Sequence, residues 1–202
     1  MKKQILMEKD EIKKEIVESM RDLYLRGLVT SSSGNISARI FGSEFLWITP
    51  TGPNKPKLKE DDLVKIDLDG RILEGNNKPS AEWRTHVEIF KVRKDVNAVV
   101  HTHNPFTIGV TMVRKEFKPV TTEASILLKE IATLPFKKPC SEELSKLVSK
   151  NIINRNALIL RGHGVIGVGS DLNEAKSIVE VIEDDAIVQT VMKIFSKRAS
   201  RY

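Results

Sequence analysis

The run VNAVVHTH at residues 96–103 places the strongest constraint on what this chain can fold into. Its apolar, β-branched start predicts a strand buried in the interior of a sheet. Side chains two positions apart on a strand point to the same face. His101 and His103 therefore share one face where the strand ends, a geometry suited to binding one metal ion.

A third histidine, His163, stands in RGHGVIGVG between Gly162 and Gly164. Glycines allow unusual φ angles and close backbone approach, which helps a side chain to reach a metal ion held elsewhere in the fold. Three neutral imidazoles with an open fourth position are typical of a catalytic zinc site. We therefore predict that His101, His103 and His163 bind one metal ion. The alternative is that they are hydrogen-bonded core residues.

Glu82 lies in the segment KPSAEWRTH, where a helix is predicted to begin at residues 79–80. Ser80 can cap this helix, which places Glu82 in the first turn, where a carboxylate is favoured by the helix dipole. One interpretation is an ordinary first-turn glutamate, and the other is a general base beside a metal ion. His86 follows four residues later, so it could form an alternative metal pair with Glu82, orient a neighbour or pack in the core.

Short hydroxyl side chains and glycines form three clusters that could bind an anion. Free backbone N–H groups at turns and helix N-termini attract anions, and hydroxyl groups beside them suit a phosphate. Such turns are usually only turns, but three of them in a chain with a metal motif favour a small phosphorylated substrate. The residues concerned are Ser32, Ser33, Gly34 and Asn35 in TSSSGN, Thr51 and Gly52 in ITPTG, and Ser80.

The composition is that of an ordinary globular protein of one domain. At 202 residues, with 40% hydrophobic and 30% charged residues, the chain can bury a substantial core. It contains no apolar run near the roughly 18 residues that a membrane span needs. The N-terminus becomes charged before a signal-peptide core could form, and the single Cys140 cannot form an internal disulfide. We therefore expect a soluble, cytoplasmic protein with no membrane partner.

The net charge of +6 raises the alternative of nucleic-acid binding. The basic residues are scattered among acidic ones, however, and the few aromatic residues are not interleaved with them, so we expect no nucleic-acid partner. The densest basic segment is PNKPKLKE, with Lys55, Lys57 and Lys59. This segment is either a solvated loop or an electropositive rim near a phosphate.

The hydrophobic pattern predicts strands in the centre of the chain with helices before, between and after them. A first amphipathic helix spans about residues 9–26, and its apolar stripe comprises Ile12, Ile16, Met20 and Leu23. Strands are predicted in ISARI, FLWITP, LVKIDL, RILEG and VNAVVHTH, and on either side of residues 162–164. Further helices are predicted from 79–80, from 104–105, over 141–154 and from Asp171, whereas 118–136 is ambiguous. This order implies a layered sheet with helices on both faces.

Five segments together carry a resemblance to a known family: SSSGNIS, ITPTG, PSAEWRTH, NAVVHTH and RGHGVIGVG. In this order and spacing they resemble the class II aldolase/epimerase family over about residues 10–195. The resemblance implies a single class II aldolase-like domain over residues 1–202, α/β in class, with a central, mainly antiparallel β-sheet flanked by helices in three α/β/α layers. It also implies a homotetramer with active sites at the subunit interfaces.

The resemblance further implies the residues of the site. One zinc ion per subunit, or another divalent metal ion, would be bound by His101, His103 and His163, with Glu82 beside it as a further ligand and as the catalytic acid/base. The phosphate pocket would comprise Ser32, Gly34, Asn35, Thr51, Gly52 and Ser80.

The activity implied by the resemblance is reversible cleavage of a ketose 1-phosphate, such as L-fuculose 1-phosphate. The products would be dihydroxyacetone phosphate and an aldehyde such as L-lactaldehyde. Glutamate at position 82 favours an aldolase, because the 4-epimerases of the family usually carry aspartate there. The chain departs from the aldolase pattern at Ala81, where a second serine is usual, and at Phe136, where a tyrosine is usual, although Tyr202 could substitute for a tyrosine.

Three alternatives to an aldolase remain open at this point. A methylthioribulose-1-phosphate dehydratase would use the same metal ion and glutamate for elimination, and a ribulose-phosphate 4-epimerase would share the metal site. A non-enzymatic interaction module, like the head domain of adducin, is the third. The complete histidine set together with Glu82 argues against this last alternative, because a purely structural domain has no reason to keep those residues together.

Overall fold

The fold is built on one eight-stranded β-sheet in a computed structural model that describes residues 9–52, 54–128 and 130–199. Tyr202 lies outside the described residues. The strands are β1 (Asn35–Ala38), β2 (Phe45–Ile48), β3 (Val64–Asp67), β4 (Ile72–Glu74), β5 (Ala98–Thr102), β6 (Ile131–Leu134), β7 (Ala157–Leu160) and β8 (Gly164–Gly169). Their order across the sheet is β4-β3-β2-β1-β5-β8-β7-β6, so β5 lies in the interior.

Six α-helices accompany the sheet within the described residues. They are α1 (Lys9–Leu25), α2 (Trp83–Val92), α3 (Pro105–Val113), α4 (Thr122–Leu127), α5 (Glu142–Asn151) and α6 (Leu172–Ala199). Two short 3-10 helices, Lys55–Lys57 and Glu60–Asp62, lie between β2 and β3. Over the described ranges, none of the helices combines the length and the apolar character that crossing a bilayer requires.

The sheet is mixed, which corrects the expectation of a mainly antiparallel sheet. Strand β6 pairs with β7 in parallel, whereas the other neighbouring strands pair antiparallel. The reason is the connection between the two strands: α5 lies between β6 and β7 in the chain, and a helix that crosses over returns the chain in the same direction. Sequence patterning did not identify β6, so this parallel pair could not be anticipated.

The apolar side chains form two hydrophobic clusters that the sheet separates. Ala98 and Val100 of β5 belong to one cluster, which includes side chains of α1 and α6. Val99 belongs to the other, which includes side chains of α2 and α5. Since successive residues of a strand point to opposite faces, β5 contributes to both clusters and is buried along its whole length. This explains why its sequence is continuously apolar before the histidines.

Several predicted elements are confirmed. The stripe of Ile12, Ile16, Met20 and Leu23 on α1 is buried, with each side chain at most 2% exposed. The long final helix begins after Asp171, whose side chain accepts a hydrogen bond from the Glu174 N–H at 2.8 Å. The two strands on either side of residues 162–164 are β7 and β8, which pair antiparallel around a tight turn.

One prediction about local structure was wrong, and one ambiguous stretch is resolved. The helix expected from residues 79–80 begins at Trp83, because residues 80–82 form a turn in which the Ser80 carbonyl accepts the Trp83 N–H at 3.0 Å. Glu82 is therefore the residue that precedes α2, not part of its first turn. The stretch 118–136, which has no clear pattern, contains α4 and β6.

Gly164 lets β5 and β8 approach each other closely beside His163. A Cβ atom at this position would lie 2.0 Å from the backbone oxygen of Thr102, a distance that backbone atoms cannot tolerate. The neighbouring Gly162 has a φ of +70°, which glycine adopts without strain. The glycines around His163 therefore have both roles expected from the sequence.

We expect Gly164→Ala to destabilise the fold by about 1–3 kcal/mol or more, because β5 and β8 must separate to admit the methyl group. Gly109→Ala is the matched control, since Gly109 is an exposed residue of α3 with no atom within 4 Å of the added Cβ. The control should gain about 0.5–1 kcal/mol from higher helix propensity. Denaturant unfolding of both variants measures the difference, and equal stabilities would contradict the close approach.

Candidate metal and catalytic site

Three of the four histidines converge where β5 ends and β7 turns into β8. His101 is the fourth residue of β5, His103 follows the strand directly, and His163 lies in the turn before β8. One ligand nitrogen from each residue lies within 4.8 Å of the others. The ring centroids are 4.8 to 5.1 Å apart, and each pair of rings meets at 64° to 66°. The imidazoles therefore point inward to one small volume.

The geometry and the protonation of these rings fit a divalent metal ion. Nδ1 of His101 lies 2.9 Å from the Val165 carbonyl oxygen, which only accepts, so Nδ1 carries a hydrogen and Nε2 is the nitrogen that can bind a metal ion. Nε2 of His101 lies 3.4 Å from Nε2 of His163. Two nitrogens bound tetrahedrally to one zinc ion at 2.0–2.1 Å are about 3.3–3.4 Å apart. These two nitrogens are thus already spaced as ligands.

The electrostatics of the cluster combine two neutral imidazoles with an adjacent carboxylate. Burial lowers the pKa of both His103 and His163 to about 4, with a further contribution from His101, so these two rings are neutral near pH 7. Burial also lowers the pKa of His101, but the adjacent Glu82 carboxylate raises it by more. Histidine binds a metal ion as the neutral imidazole. The nearby Glu82 carboxylate would attract the positive charge of such an ion.

Glu82 lies against this cluster. Its Oε2 is 3.1 Å from Nε2 of His101 and its Oε1 is 3.6 Å from Nε2 of His163. Burial raises the pKa of the Glu82 carboxyl, but the charge on His101 and hydrogen bonds from His101 and Asn35 lower it by more, so the carboxylate is ionised. A metal ion held by the three histidines would act on Glu82 in the same direction.

A chain of hydrogen bonds leads from Glu82 into the core. Asn35 donates from Nδ2 to Oε2 of Glu82 at 3.0 Å, and its Oδ1 lies 2.5 Å from Nε2 of His86. Nδ1 of His86 lies 2.6 Å from the hydroxyl oxygen of Ser37. His86 is therefore not one of the three clustered histidines. Sequence reasoning missed Ser37, although it lies on the predicted strand ISARI, two residues after Asn35.

The structure joins the three segments expected to bind a phosphate. The Ser80 N–H donates to the Thr49 carbonyl at 3.0 Å, and the Thr51 N–H donates to the Lys78 carbonyl at 3.0 Å. The third segment is tied in through the Lys55 N–H, which donates to the Ser31 carbonyl at 2.9 Å. Of the expected phosphate ligands, Gly34, Asn35 and Ser80 are buried, whereas Ser32, Thr51 and Gly52 are exposed.

Gly34 connects the serine-rich turn to the histidine strand. Its φ is +73°, and a Cβ atom there would lie 2.3 Å from Val29 and 3.1 Å from the backbone oxygen of His101. Only glycine satisfies both the backbone conformation and the close approach. The next residue, Asn35, pairs with His101 across β1 and β5. The expected phosphate turn and the metal site are therefore adjacent in the sheet.

Lys55 is a buried lysine beside these segments. It is 3% exposed, and its Nζ donates to the Pro50 carbonyl oxygen at 2.7 Å. Burial lowers its pKa to about 8. The segment PNKPKLKE was expected to be either a solvated loop or an electropositive rim near a phosphate. A solvated loop does not describe the buried Lys55. Lys55 supplies a positive charge next to the segment that contains Thr51.

The fold and the candidate metal site agree with one family of known proteins. Residues 14–190 match the family described as Class II Aldolase and Adducin N-terminal domain. This range covers most of the chain, and the chain therefore belongs to this family. The expected family membership, and with it the class of aldehyde-lyases, is confirmed.

Individual relatives agree with the family assignment. The chain is 34% identical over 186 residues to an L-fuculose phosphate aldolase of Methanocaldococcus jannaschii, covering 92% of this chain and 99% of the relative. It is 30% identical over 181 residues to a 5-deoxy-D-ribulose 1-phosphate aldolase of Bacillus thuringiensis, covering 89% and 83%. The crystal structure of L-fuculose-1-phosphate aldolase from Thermus thermophilus superimposes with a TM-score of 0.83 at 27% identity, covering 92% of this chain and 96% of that chain.

We expect His103→Ala to abolish tight metal binding, because the two remaining imidazoles and a carboxylate hold a divalent ion poorly. Metal content after dialysis against a weak chelator, measured by mass spectrometry, checks this. Cys140→Ser is the matched control, since Cys140 is the only thiol of the chain and lies outside the histidine cluster. Full metal retention by His103→Ala, or loss by Cys140→Ser, would contradict the proposed ligands.

We expect Lys55→Met to remove a pH dependence of stability. The pKa of Lys55 is about 8 in the folded state and about 10.4 in an unfolded chain, so the unfolded state binds more protons between these values. The stability of the unsubstituted protein therefore rises with pH from about 8 to 10.4. Below pH 8 the variant should be more stable by at most about 3 kcal/mol.

Lys57→Met is the control for this prediction, because Lys57 is exposed in the same segment. Unfolding free energies of the two variants and the parent protein, measured from pH 7 to 10, give the comparison. A parallel pH dependence in Lys55→Met and the parent would show that Lys55 is not desolvated.

Proposed function

We propose that this protein is a metal-dependent class II aldolase that reversibly cleaves a ketose 1-phosphate, such as L-fuculose 1-phosphate. The products are dihydroxyacetone phosphate and an aldehyde such as L-lactaldehyde. The observation that carries the proposal is the contact of one buried carboxylate, Glu82, with both His101 and His163. The names of the relatives from Methanocaldococcus jannaschii and Bacillus thuringiensis support a ketose 1-phosphate as substrate.

We propose His101, His103 and His163 as the metal ligands, with Glu82 able to join them, and zinc as the ion, one per subunit. Three neutral imidazoles with an open position favour zinc, although another divalent ion is compatible with nitrogen ligands. When bound, the ion acts as a Lewis acid that stabilises the negative charge left on the substrate when the C3–C4 bond breaks.

Glu82 is the proposed catalytic acid/base. In the condensation direction its ionised carboxylate accepts a proton from C3 of dihydroxyacetone phosphate, and in the cleavage direction it returns that proton to the same carbon. Hydrogen bonding to Asn35 and contact with His101 keep the carboxylate ionised and oriented before substrate binds. A Schiff-base lysine would not be needed, because a bound metal ion would supply the stabilisation that such a lysine gives.

The proposed phosphate pocket comprises Ser32, Gly34, Asn35, Thr51, Gly52 and Ser80. Backbone hydrogen bonds tie residues 49–51 to residues 78–80 and residue 55 to residue 31, which supports a single pocket. Lys55 adds a positive charge there, which suits a dianionic phosphate. Asn35 would serve both the pocket and Glu82, since its amide group has two N–H donors.

We further propose a single domain over residues 1–202 with three α/β/α layers, assembled as a homotetramer with active sites at the subunit interfaces. Exposed apolar side chains on the last turns of α6 support burial by another copy, since monomers rarely expose such patches. They include Val188, Val191, Met192, Ile194 and Phe195. A cytoplasmic location stays a prediction of the sequence, as does the absence of a nucleic-acid partner.

The test is a coupled retro-aldol assay with metal-loaded protein. L-fuculose 1-phosphate and 5-deoxy-D-ribulose 1-phosphate are supplied with and without chelator, and release of dihydroxyacetone phosphate is followed. We expect chelator-sensitive release from at least one substrate. Loss of water from methylthioribulose 1-phosphate, without release of dihydroxyacetone phosphate from any substrate, would replace the aldolase with the dehydratase. Interconversion of ribulose and xylulose phosphates would support the epimerase instead.

Glu82→Gln should keep its metal ion and lose about 100- to 10,000-fold in kcat, because the amide cannot exchange the proton at C3. Glu88→Gln makes the same chemical change on α2 at a partly exposed residue that pairs with Lys91, so it should retain full activity. Ordinary turnover by Glu82→Gln, with Glu88→Gln also active, would contradict the acid/base role.

A further inference from the structure

His86 is a buried histidine for which the aldolase reaction as proposed has no direct use. It is 1% exposed and lies on α2, four residues after Glu82, outside the three-histidine cluster. Both of its ring nitrogens make short hydrogen bonds, Nε2 to Oδ1 of Asn35 and Nδ1 to the hydroxyl of Ser37. A ring whose two nitrogens are both hydrogen-bonded has one defined orientation. It also has one defined tautomer if one partner can only accept and the other can donate.

Glu82, at the end of this chain of hydrogen bonds, fixes which group donates and which accepts at each step. An ionised carboxylate only accepts hydrogen bonds, so the group of Asn35 that faces Oε2 of Glu82 must be its NH2. The amide oxygen of Asn35 then faces His86, and an oxygen can only accept. Nε2 of His86 must therefore carry the hydrogen, which leaves Nδ1 to accept from the Ser37 hydroxyl.

The opposite arrangement is unfavourable at each step. If the Asn35 amide were rotated by half a turn, its oxygen would face the Glu82 carboxylate, and two acceptors would repel each other in a buried site. Its NH2 would face an Nε2–H on His86, and two donors would meet. The Nε2–H tautomer of His86 and the observed orientation of Asn35 therefore require one another.

The strand geometry explains how one ring reaches both partners. Asn35 and Ser37 are two residues apart on β1, so their side chains point to the same face of the sheet. The intervening Ile36 belongs to the hydrophobic cluster with α1 and α6, on the opposite face. His86 on α2 covers the polar pair. The SGNIS segment thus provides a strand with one polar and one apolar face.

We propose that His86 is a positioning residue, which as the neutral Nε2–H tautomer fixes the Asn35 amide and thereby holds the Glu82 carboxylate in place against His101 and His163. The inference rests on the proposed role of Glu82. Burial, together with the charge of His101, lowers the pKa of His86 to about 3, which agrees with a ring that stays neutral. His86 does not touch the reacting atoms, so it acts only through Asn35.

The first test reads the tautomer directly and does not depend on activity. The chain has four histidines, so long-range ¹H–¹⁵N spectra of the metal-loaded, histidine-labelled protein contain four ring systems, and His86→Gln assigns one of them. We expect His86 to show a protonated Nε2 and an unprotonated Nδ1 from about pH 6 to 8. A protonated Nδ1, or an imidazolium, would overturn the inference.

The second test separates positioning from packing. His86→Leu fills the space but cannot donate to Asn35, so kcat should fall roughly 10- to 100-fold with bound metal retained and little change in KM. His86→Gln can donate from its amide to Asn35 and should restore most of kcat. Ile89→Val is the control, because it removes a buried methyl group from the same helix and should leave kcat unchanged.

Each outcome decides one of the two proposals. If the unsubstituted protein releases no dihydroxyacetone phosphate, the proposed function fails, and the tautomer measurement still decides the inference about His86. If the unsubstituted protein is active and His86→Leu keeps full kcat, the positioning role is wrong. Should His86→Leu fail to fold, Ser37→Ala provides a second comparison, since loss of the hydroxyl leaves Nδ1 of His86 without its hydrogen-bond donor and frees the ring to reorient, which should lower kcat.

Discussion

The pairing of β5 with β1 on one side and β8 on the other is the constraint on which the site depends. In this register His101 lies opposite Asn35 on β1 and opposite Ile166 on β8. A slip of one residue would turn His101 to the other face and put Thr102 in its place. Val99 and Val100 secure this register because they belong to different hydrophobic clusters. A slip that moved a histidine into either position would bury a polar ring among apolar side chains.

The second requirement is that a carboxylate be kept ionised away from water. Glu82 is 9% exposed, and burying an unpaired carboxylate would cost several kcal/mol. The site offsets this cost with contacts from His101 and His163 and with the hydrogen bond from Asn35. These contacts come from three different residues, so together they fix the direction in which the carboxylate points. The same arrangement that stabilises the charge therefore also sets its geometry.

Much of the candidate site could be predicted from sequence because its residues stand in local patterns. The spacing of His101 and His103, and the glycines around His163, each have a direct physical meaning that one segment reveals. Other features depend on contacts between distant segments. The burial of Lys55 arises only when the loops after β2 and before β1 come together, and Ser37 gains its role only when α2 covers β1. Strand β6 has no recognisable sequence pattern of its own and is identified only by its pairing with β7.

The position of His163 has a consequence for how the proposed metal ion would be acquired. His101 and His103 are synthesised together, but His163 follows 62 residues after His101 and reaches the site only when the β7–β8 hairpin pairs with β5. A chain that has not yet completed this pairing offers two imidazoles, and structural ligand sets of that size bind zinc weakly. Metal uptake would thus depend on closure of the sheet around β5. An ion bound in the folded protein would in turn link β5 to the β7–β8 hairpin. Opening of the hairpin would then require release of the ion.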